Sequence, residues 1–225
     1  VIVMPANSTG WRVSWLQGRF GGLGHLFSPG AQRGPYPHMP YALDNGAFPA
    51  FTNGVEWREE AFVDLLRWAS QNPVSPRWVV VPDVVGEAER TLVEWARWAR
   101  KISGDYGFRI ALAVQDGMGI KAISQLRPQP DVIFVGGTTE WKRKTIRKWC
   151  REFPRVHVGR VNTKHWLWEC HHAGAESVDG TGWFRGDPKQ LADLTDYLRE
   201  NATQQPLMVP DWRDLSSTPL LDFPS

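Results

Sequence analysis

The feature that most constrains this chain is a short apolar run, repeated along its length and closed each time by glycine or a polar residue. It appears as "VIVMP" (1–5), "YALDNG" (41–46), "WVVVPD" (78–83), "RIALAVQ" (109–115), "VIFVGG" (132–137), "RVHVGR" (155–160) and "ESVDGT" (176–181). Runs this short and this continuously apolar suit strands buried on both faces, the situation of a parallel sheet. Between them lie stretches of helical period. In "EWREEAFVDLLRWA", residues Ala61, Leu65, Trp68 and Ala69 recur at i, i+4, i+7 and i+8. The segments "GEAERTLVEWARWARKI" and "TKHWLWECHHAG" behave alike, and Gly174 is a natural stop for the second.

Strand then helix, repeated, predicts right-handed βα units. Seven strands are evident, and an eighth is expected in the irregular stretch 11–40, at "HLFS". The expected fold is α/β: a compact (β/α)8 TIM-like barrel in a single domain over residues 1–201. Residues 202–225, rich in Pro and Ser, are expected to form a C-terminal extended tail. An open doubly wound sheet is the alternative, but no G-x-G-x-x-G follows the first strand. A core is within reach, since 42% of the 225 residues are apolar and 13 are Trp. The Trp pairs Trp95/Trp98 and Trp166/Trp168 are expected to pack helices on the sheet.

The formal net charge of +2 excludes a chain that binds nucleic acid through overall basicity, so any such role needs a local patch. Two cysteines, Cys150 and Cys170, do not make a disulfide framework and favour a reduced, cytoplasmic setting. No apolar run is long enough to span a bilayer and no leader-like segment is visible, so no membrane partner is expected.

In parallel α/β folds, chemistry gathers at the carboxyl ends of the strands. That edge here carries Asp44, Asp83, Gln115, Gly136–Gly137, Gly159–Arg160 and Asp179. Each alone has a plain explanation: an aspartate after a strand often caps a turn, Asp-Asn-Gly is good turn chemistry, and Gln115 can satisfy loop backbone. Together they form a set suited to glycosyl transfer at a purine nucleoside. One carboxylate attacks the sugar, another moves a proton, an amide and a carboxylate read the base edge, and a Gly-Gly backbone approaches the flat ring.

The ordered set resembles the queuine/archaeosine tRNA-guanine transglycosylase superfamily, whose barrels carry D-S-G-G-F, a later Asp, V-Q-G, a G-G loop and a terminal F-D-C-V-like segment. The corresponding residues are "DNGAF" (44–48), "VPD" ending at Asp83, "AVQDG" with Gln115, "VGG" (135–137) and "GAESVDGT" with Asp179. The superfamily's C-x-C-x-x-C zinc motif with its later His is absent, as neither Cys nor His follows Asp179. That absence, the short chain, and the form of "YALDNGAF" and "VGGTTEWK" are more similar to the compact phage-type DNA-guanine transglycosylases (the DpdA family). The resemblance implies a phage-encoded enzyme that exchanges guanine in DNA for a 7-deazaguanine such as 7-cyano-7-deazaguanine. It implies Asp179 as nucleophile, Asp44 as general acid/base, and Asp83, Gln115, Gly136 and Gly137 as the base-binding set. Glu140 falls two residues short of the position from which the family's Glu meets the incoming base. The implied partners are DNA and the deazaguanine co-substrate, with helper proteins or a homodimer as further possibilities. No cofactor is implied. A zinc site from Cys150, Cys170, His171 and His172 is the lesser reading, because adjacent helical histidines point about 100° apart.

The run "WKRKTIRKWCREFPR" (141–155) supplies local charge through Lys142, Arg143, Lys144 and Arg147, followed by Lys148, Arg151 and Arg155. It is either a solvated helix face or a phosphate track. Arg160 and Arg185 are single candidates for a phosphate near an extruded nucleotide, and Trp141 and Trp183 for base stacking. The Gly-rich stretch 18–30 lacks a Walker lysine and is expected to be an active-site flap. Rival readings are a tRNA-directed enzyme of the same chemistry, a non-catalytic DNA- or base-binding module, and a sugar hydrolase using the same two carboxylates.

Overall fold

The computed structural model describes residues 1–36 and 38–204. Its elements in chain order are β1 (Ile2–Pro5), α1 (Trp11–Phe20), β2 (His25–Phe27), β3 (Tyr41–Leu43), α2 (Ala47–Thr52), α3 (Glu59–Ser70), β4 (Val79–Val80) and α4 (Ala88–Asp105), then β5 (Ile110–Val114), α5 (Ile120–Ile123), β6 (Val132–Val135), α6 (Thr139–Glu152), β7 (Val156–Val158), α7 (Lys164–Ala173), β8 (Ser177–Gly180) and α8 (Pro188–Gln204). All eight strands are parallel, in the order β1-β8-β7-β6-β5-β4-β3-β2. The two ends of that order meet through parallel bridges, Val3 with Leu23 and Ala6 with Leu26. Backbone bonds Val3 N–H to Gly22 O (2.8 Å) and Asn7 N–H to Leu26 O (2.8 Å) complete the closure. The fold is the expected (β/α)8 barrel.

Alternation along each strand splits the core into two layers. Val3, Phe27, Leu43, Val79, Leu112, Val135, Val158 and Val178 turn outward and bury against helices that contribute Trp95, Trp98, Trp149 and Trp166. Met4, Leu26, Ala42, Trp78, Val80, Ala111, Ala113 and Val132 fill the barrel interior. Each large side chain so buried stabilises the fold by roughly 1.5–3 kcal/mol. Helix α4 shows the logic: Thr91, Trp95, Trp98, Ala99 and Ile102 are its buried residues and form one stripe. Helix α7 starts where the Thr163 hydroxyl caps Trp166 N–H (3.2 Å) and stops at Gly174, whose φ of 90° needs no β-carbon.

The strands' amino ends are clamped by charge. Glu176, just before β8, takes Arg155 Nε at 2.7 Å and also pairs with Arg77. Arg155 therefore lies at the barrel end opposite the candidate site, away from any phosphate track.

Three expectations change. The stretch 11–20, expected to be irregular, is helix α1. Residues 18–30 are not a flap, because Gly18 to Phe20 end α1 and His25–Phe27 are a barrel strand. "HLF" is thus the eighth strand. Helix α8 continues past residue 201 to Gln204, and residues 205–225 of the expected tail lie outside the described residues. Among the described residues, no helix is long and apolar enough to cross a membrane.

Candidate active site

Parallel strands deliver their last residues to one mouth. Asp44 follows β3, its backbone N–H bonded to Phe27 O of β2 at 2.8 Å. The next residue, Asn45, is 1% exposed. Its Oδ1 accepts from Ala47 N–H (2.7 Å), while Nδ2 donates to Val81 O (2.9 Å) and to Asp83 Oδ1 (2.7 Å). Trp57 Nε1 donates to its carbonyl at 2.8 Å. The Asp-Asn-Gly turn is therefore both turn chemistry and the brace that fixes Asp83. Sequence reasoning missed Asn45 as a site residue by treating it only as a turn former.

Burial dominates the acids' titration. It pushes the Asp44 carboxyl up to about 7, opposed by the Gly46 N–H and reinforced by the charges of Asp179 and Asp83. Burial also pushes Asp83 up to about 6, against the pull of the Asn45 hydrogen bond. Asp44 therefore feels both other acids, which places all three in one electrostatic neighbourhood. A carboxyl that gains and loses its proton near pH 7 is suited to general acid/base work.

Asp179 belongs to the inner face of β8 and is 5% exposed. Oδ2 meets His157 Nε2 at 3.1 Å, and Oδ1 accepts from Arg160 N–H at 3.1 Å. The His157 ring is fully buried, stacked on Phe134 (4.7 Å between centroids) and edge-on to Trp78 (4.8 Å). Its Nδ1 lies 2.8 Å from Ser177 Oγ. The approach is close enough that a β-carbon at Gly159 would lie 2.8 Å from the Phe134 ring and 3.4 Å from Asp179 Oδ2. His157 was read only as part of an apolar strand. The available signal was parity: His157, Ser177 and Asp179 all fall on the inward face of neighbouring strands.

Arg160 adopts φ of 58°, an uncommon conformation for a side-chain-bearing residue. Its guanidinium bonds Gly137 O and sits over the exposed Phe48 ring, 4.4 Å from the centroid. It thus spans the mouth from the β7 loop to the β6 loop and α2. Arg185 is exposed in the loop after β8.

The expected base-binding set is only partly open to a ligand. Gln115 Nε2 donates to Val84 O (2.9 Å) and Thr91 Oγ1 (2.7 Å), and Oε1 accepts from Gly86 N–H (2.6 Å). With both amide hydrogens used, Gln115 shapes the loop that follows Asp83 and has no donor left for a base edge. The Gly136 N–H is committed to Val114 O at 2.8 Å. Gly137 has φ of 73°, and a β-carbon there would lie 2.3 Å from Asp116 Oδ2. Only glycine suits that turn. Asp116 in turn fixes Thr138 through its N–H and hydroxyl, both at 2.7 Å.

The basic run is helix α6, and its residues separate by face. Lys142 is fully buried, with Nζ donating to Gly159 O, so it cannot lie on a solvated phosphate track. It falls in the inward stripe Lys142, Ile146, Trp149. Arg143 pairs with Glu169 at 3.3 Å and Lys144 with Glu140 at 2.6 Å, while Arg147 is exposed. Trp183 is fully buried and cannot stack on a base as it stands, whereas Trp141 is half-buried beside Gly137. Cys170 is buried, and His171 Nδ1 bonds the Tyr197 hydroxyl at 3.1 Å. Among the described residues, no group of three or more His, Cys, Asp or Glu is arranged to hold a metal.

The mouth thus offers a firmly held carboxylate, a second acid that titrates near neutrality, a braced third acid and a bridging arginine. Comparison with protein-family models and with curated proteins gave no match for this chain.

Proposed function

We propose that the chain is a DNA-guanine transglycosylase, exchanging guanine in DNA for a 7-deazaguanine such as 7-cyano-7-deazaguanine. The observation that carries this reading is a pair of acids at one mouth, Asp44 after β3 and Asp179 in β8 held by His157 and the Arg160 N–H, with burial lifting Asp44 to about 7. The order of the sequence motifs adds to it. The target base leaves the stack to reach the pocket. An Asp179 oxygen attacks the sugar anomeric carbon as the bond to guanine breaks, and Asp44 gives its proton to the departing base. The incoming base then loses a proton to Asp44 and attacks the same carbon, releasing the Asp179 carboxylate. Two inversions give net retention. Asp83, braced by Asn45, faces the base.

The test is incorporation of labelled guanine or 7-cyano-7-deazaguanine into duplex DNA, single-stranded DNA or tRNA. The expected result is label in DNA, abolished by Asp179→Asn and reduced roughly 10²–10⁴-fold by Asp44→Asn. Label in tRNA alone would change the polymer and keep the chemistry. Release of free base without incorporation would identify a hydrolase. An Asp179→Asn variant that exchanges at the parent rate would overturn the assignment.

A further inference from the structure

We infer that His157 is the positioning residue for the Asp179 carboxylate, held in turn by Ser177. Three side chains, Ser177, His157 and Asp179, form a continuous line inside the barrel, with contacts of 2.8 and 3.1 Å. The set contains the residue types of a hydrolase triad, but the burial pattern reverses their roles. Ser177 is 1% exposed at the inner start of β8, with His157 fully buried between it and the mouth. A hydroxyl so placed meets no substrate, so it is the anchor, and the carboxylate is the end that faces the mouth.

The hydrogen-bond inventory fixes the direction. An ionised carboxylate only accepts, so the contact at Asp179 Oδ2 requires the ring proton on His157 Nε2. Ser177 then secures the other ring nitrogen, and Phe134 and Trp78 close on the ring. A ring walled in this way has one orientation, and it fixes Oδ2 while Arg160 N–H fixes Oδ1. Two anchors on two different oxygens leave the carboxylate no rotation about its terminal torsion. An attacking oxygen gains most from such preorganisation, because misplacement by about 1 Å can cost roughly 10²-fold in rate.

The catalytic consequence rests on the nucleophile role proposed above, but the positioning itself does not. Nitrogen-15 NMR of histidine-labelled protein without substrate reads the ring proton directly. The expected spectrum has protonated Nε2, and its coupling pattern changes in Ser177→Ala. A ring protonated on Nδ1 alone would overturn the inference whether or not the chain is active. In exchange assays, His157→Phe is expected to lower kcat by roughly 10²-fold with KM for the base within about twofold. His157→Gln, which restores an N–H donor, is expected to recover about tenfold of that loss. A His157→Phe protein that folds and exchanges within about twofold of the parent would overturn it. If His157→Phe does not fold, the Gln variant and the spectrum decide.

Discussion

Asn45 Nδ2 lies 2.7 Å from Asp83 Oδ1, joining the turn after β3 to the loop after β4 across a part-buried contact. The same amide group donates to Val81 O and its oxygen takes Ala47 N–H, so one side chain closes a turn and orients an acid. Replacing it with alanine leaves a buried carbonyl and a carboxylate without their donor. Asn45→Ala is expected to destabilise the fold by about 1–3 kcal/mol in urea unfolding. The Asn45 bond also holds the Asp83 carboxyl down against burial. Carbon-13 titration should therefore show Asp83 losing its proton at higher pH in the variant than in the parent. A downward shift would mean that the brace does not favour the ionised form.

Asp44 works against stability. Its carboxyl is raised from 3.8 to about 7, so between those values the folded chain binds more protons than the unfolded one. The acid's contribution to stability therefore falls as pH rises through that window. Asp44→Asn removes the penalty. The variant is expected to match the parent near pH 3, below both values, and to exceed it by about 2–4 kcal/mol at pH 8, while exchange falls roughly 10²–10⁴-fold. Thermal unfolding at the two pH values checks this, and a gap that is equal at both would refute the raised value.

Much of this was legible from the chain. Most strand ends announced themselves because an apolar run changes character where it leaves the barrel. That is why Asp44 and Asp83 were found at the mouth, whereas Asp179 lies within β8 and was found by the order of the motifs. Side-chain direction was harder. Lys142 reads as one charge among several in "WKRK", yet its spacing to Ile146 and Trp149 puts it on the buried stripe. His157 sits in "VHV", where only inward parity with Ser177 and Asp179 distinguishes it from a solvated strand residue. Helix α1 was hidden because it buries just Val13 and Leu16 and leaves Trp11 and Trp15 exposed, which blurs the periodicity. The commitment of Gln115 to Val84, Gly86 and Thr91 depends on how a loop folds back, which no local pattern encodes.

The base of the barrel makes the opposite acid prediction. Partial burial alone would raise the Glu176 carboxyl, but hydrogen bonds from Arg155 and Arg77 outweigh it and hold the group below its usual value. A depressed carboxylate contributes stability at pH values above its ordinary range, and that contribution is lost as pH falls through the folded value. Glu176→Gln is expected to cost about 1 kcal/mol at pH 7, and that cost should shrink as pH falls through the folded value. Exchange kinetics should be unchanged at pH 7, because the clamp lies at the far end of the strands. Loss of exchange without loss of stability would contradict that placement.

Lys142 provides the sharpest test of how charge is used. Burial and the nearby Arg160 lower its ammonium to about 8, and its Nζ holds the Gly159 carbonyl next to the Arg160 N–H that meets Asp179. A lysine whose folded value lies below its ordinary 10.5 is carried with fewer protons in the folded chain between about 8 and 10.5. Stability should therefore rise with pH across the lower part of that window, before tyrosine ionisation intervenes. Lys142→Met should abolish the rise between pH 8 and 10. It should also lower exchange about tenfold, by loosening the loop that positions Asp179. A phosphate-contacting lysine would instead weaken nucleic-acid binding and reduce its salt slope by about one. For Lys142→Met the slope should match the parent, whereas Arg147→Ala, on the exposed face of α6, is the variant that would lower it if that face meets phosphates. A reduced slope for Lys142→Met, with no change in the alkaline stability profile, would mean that the side chain reaches solvent and that the loop at Asp179 is held by other means.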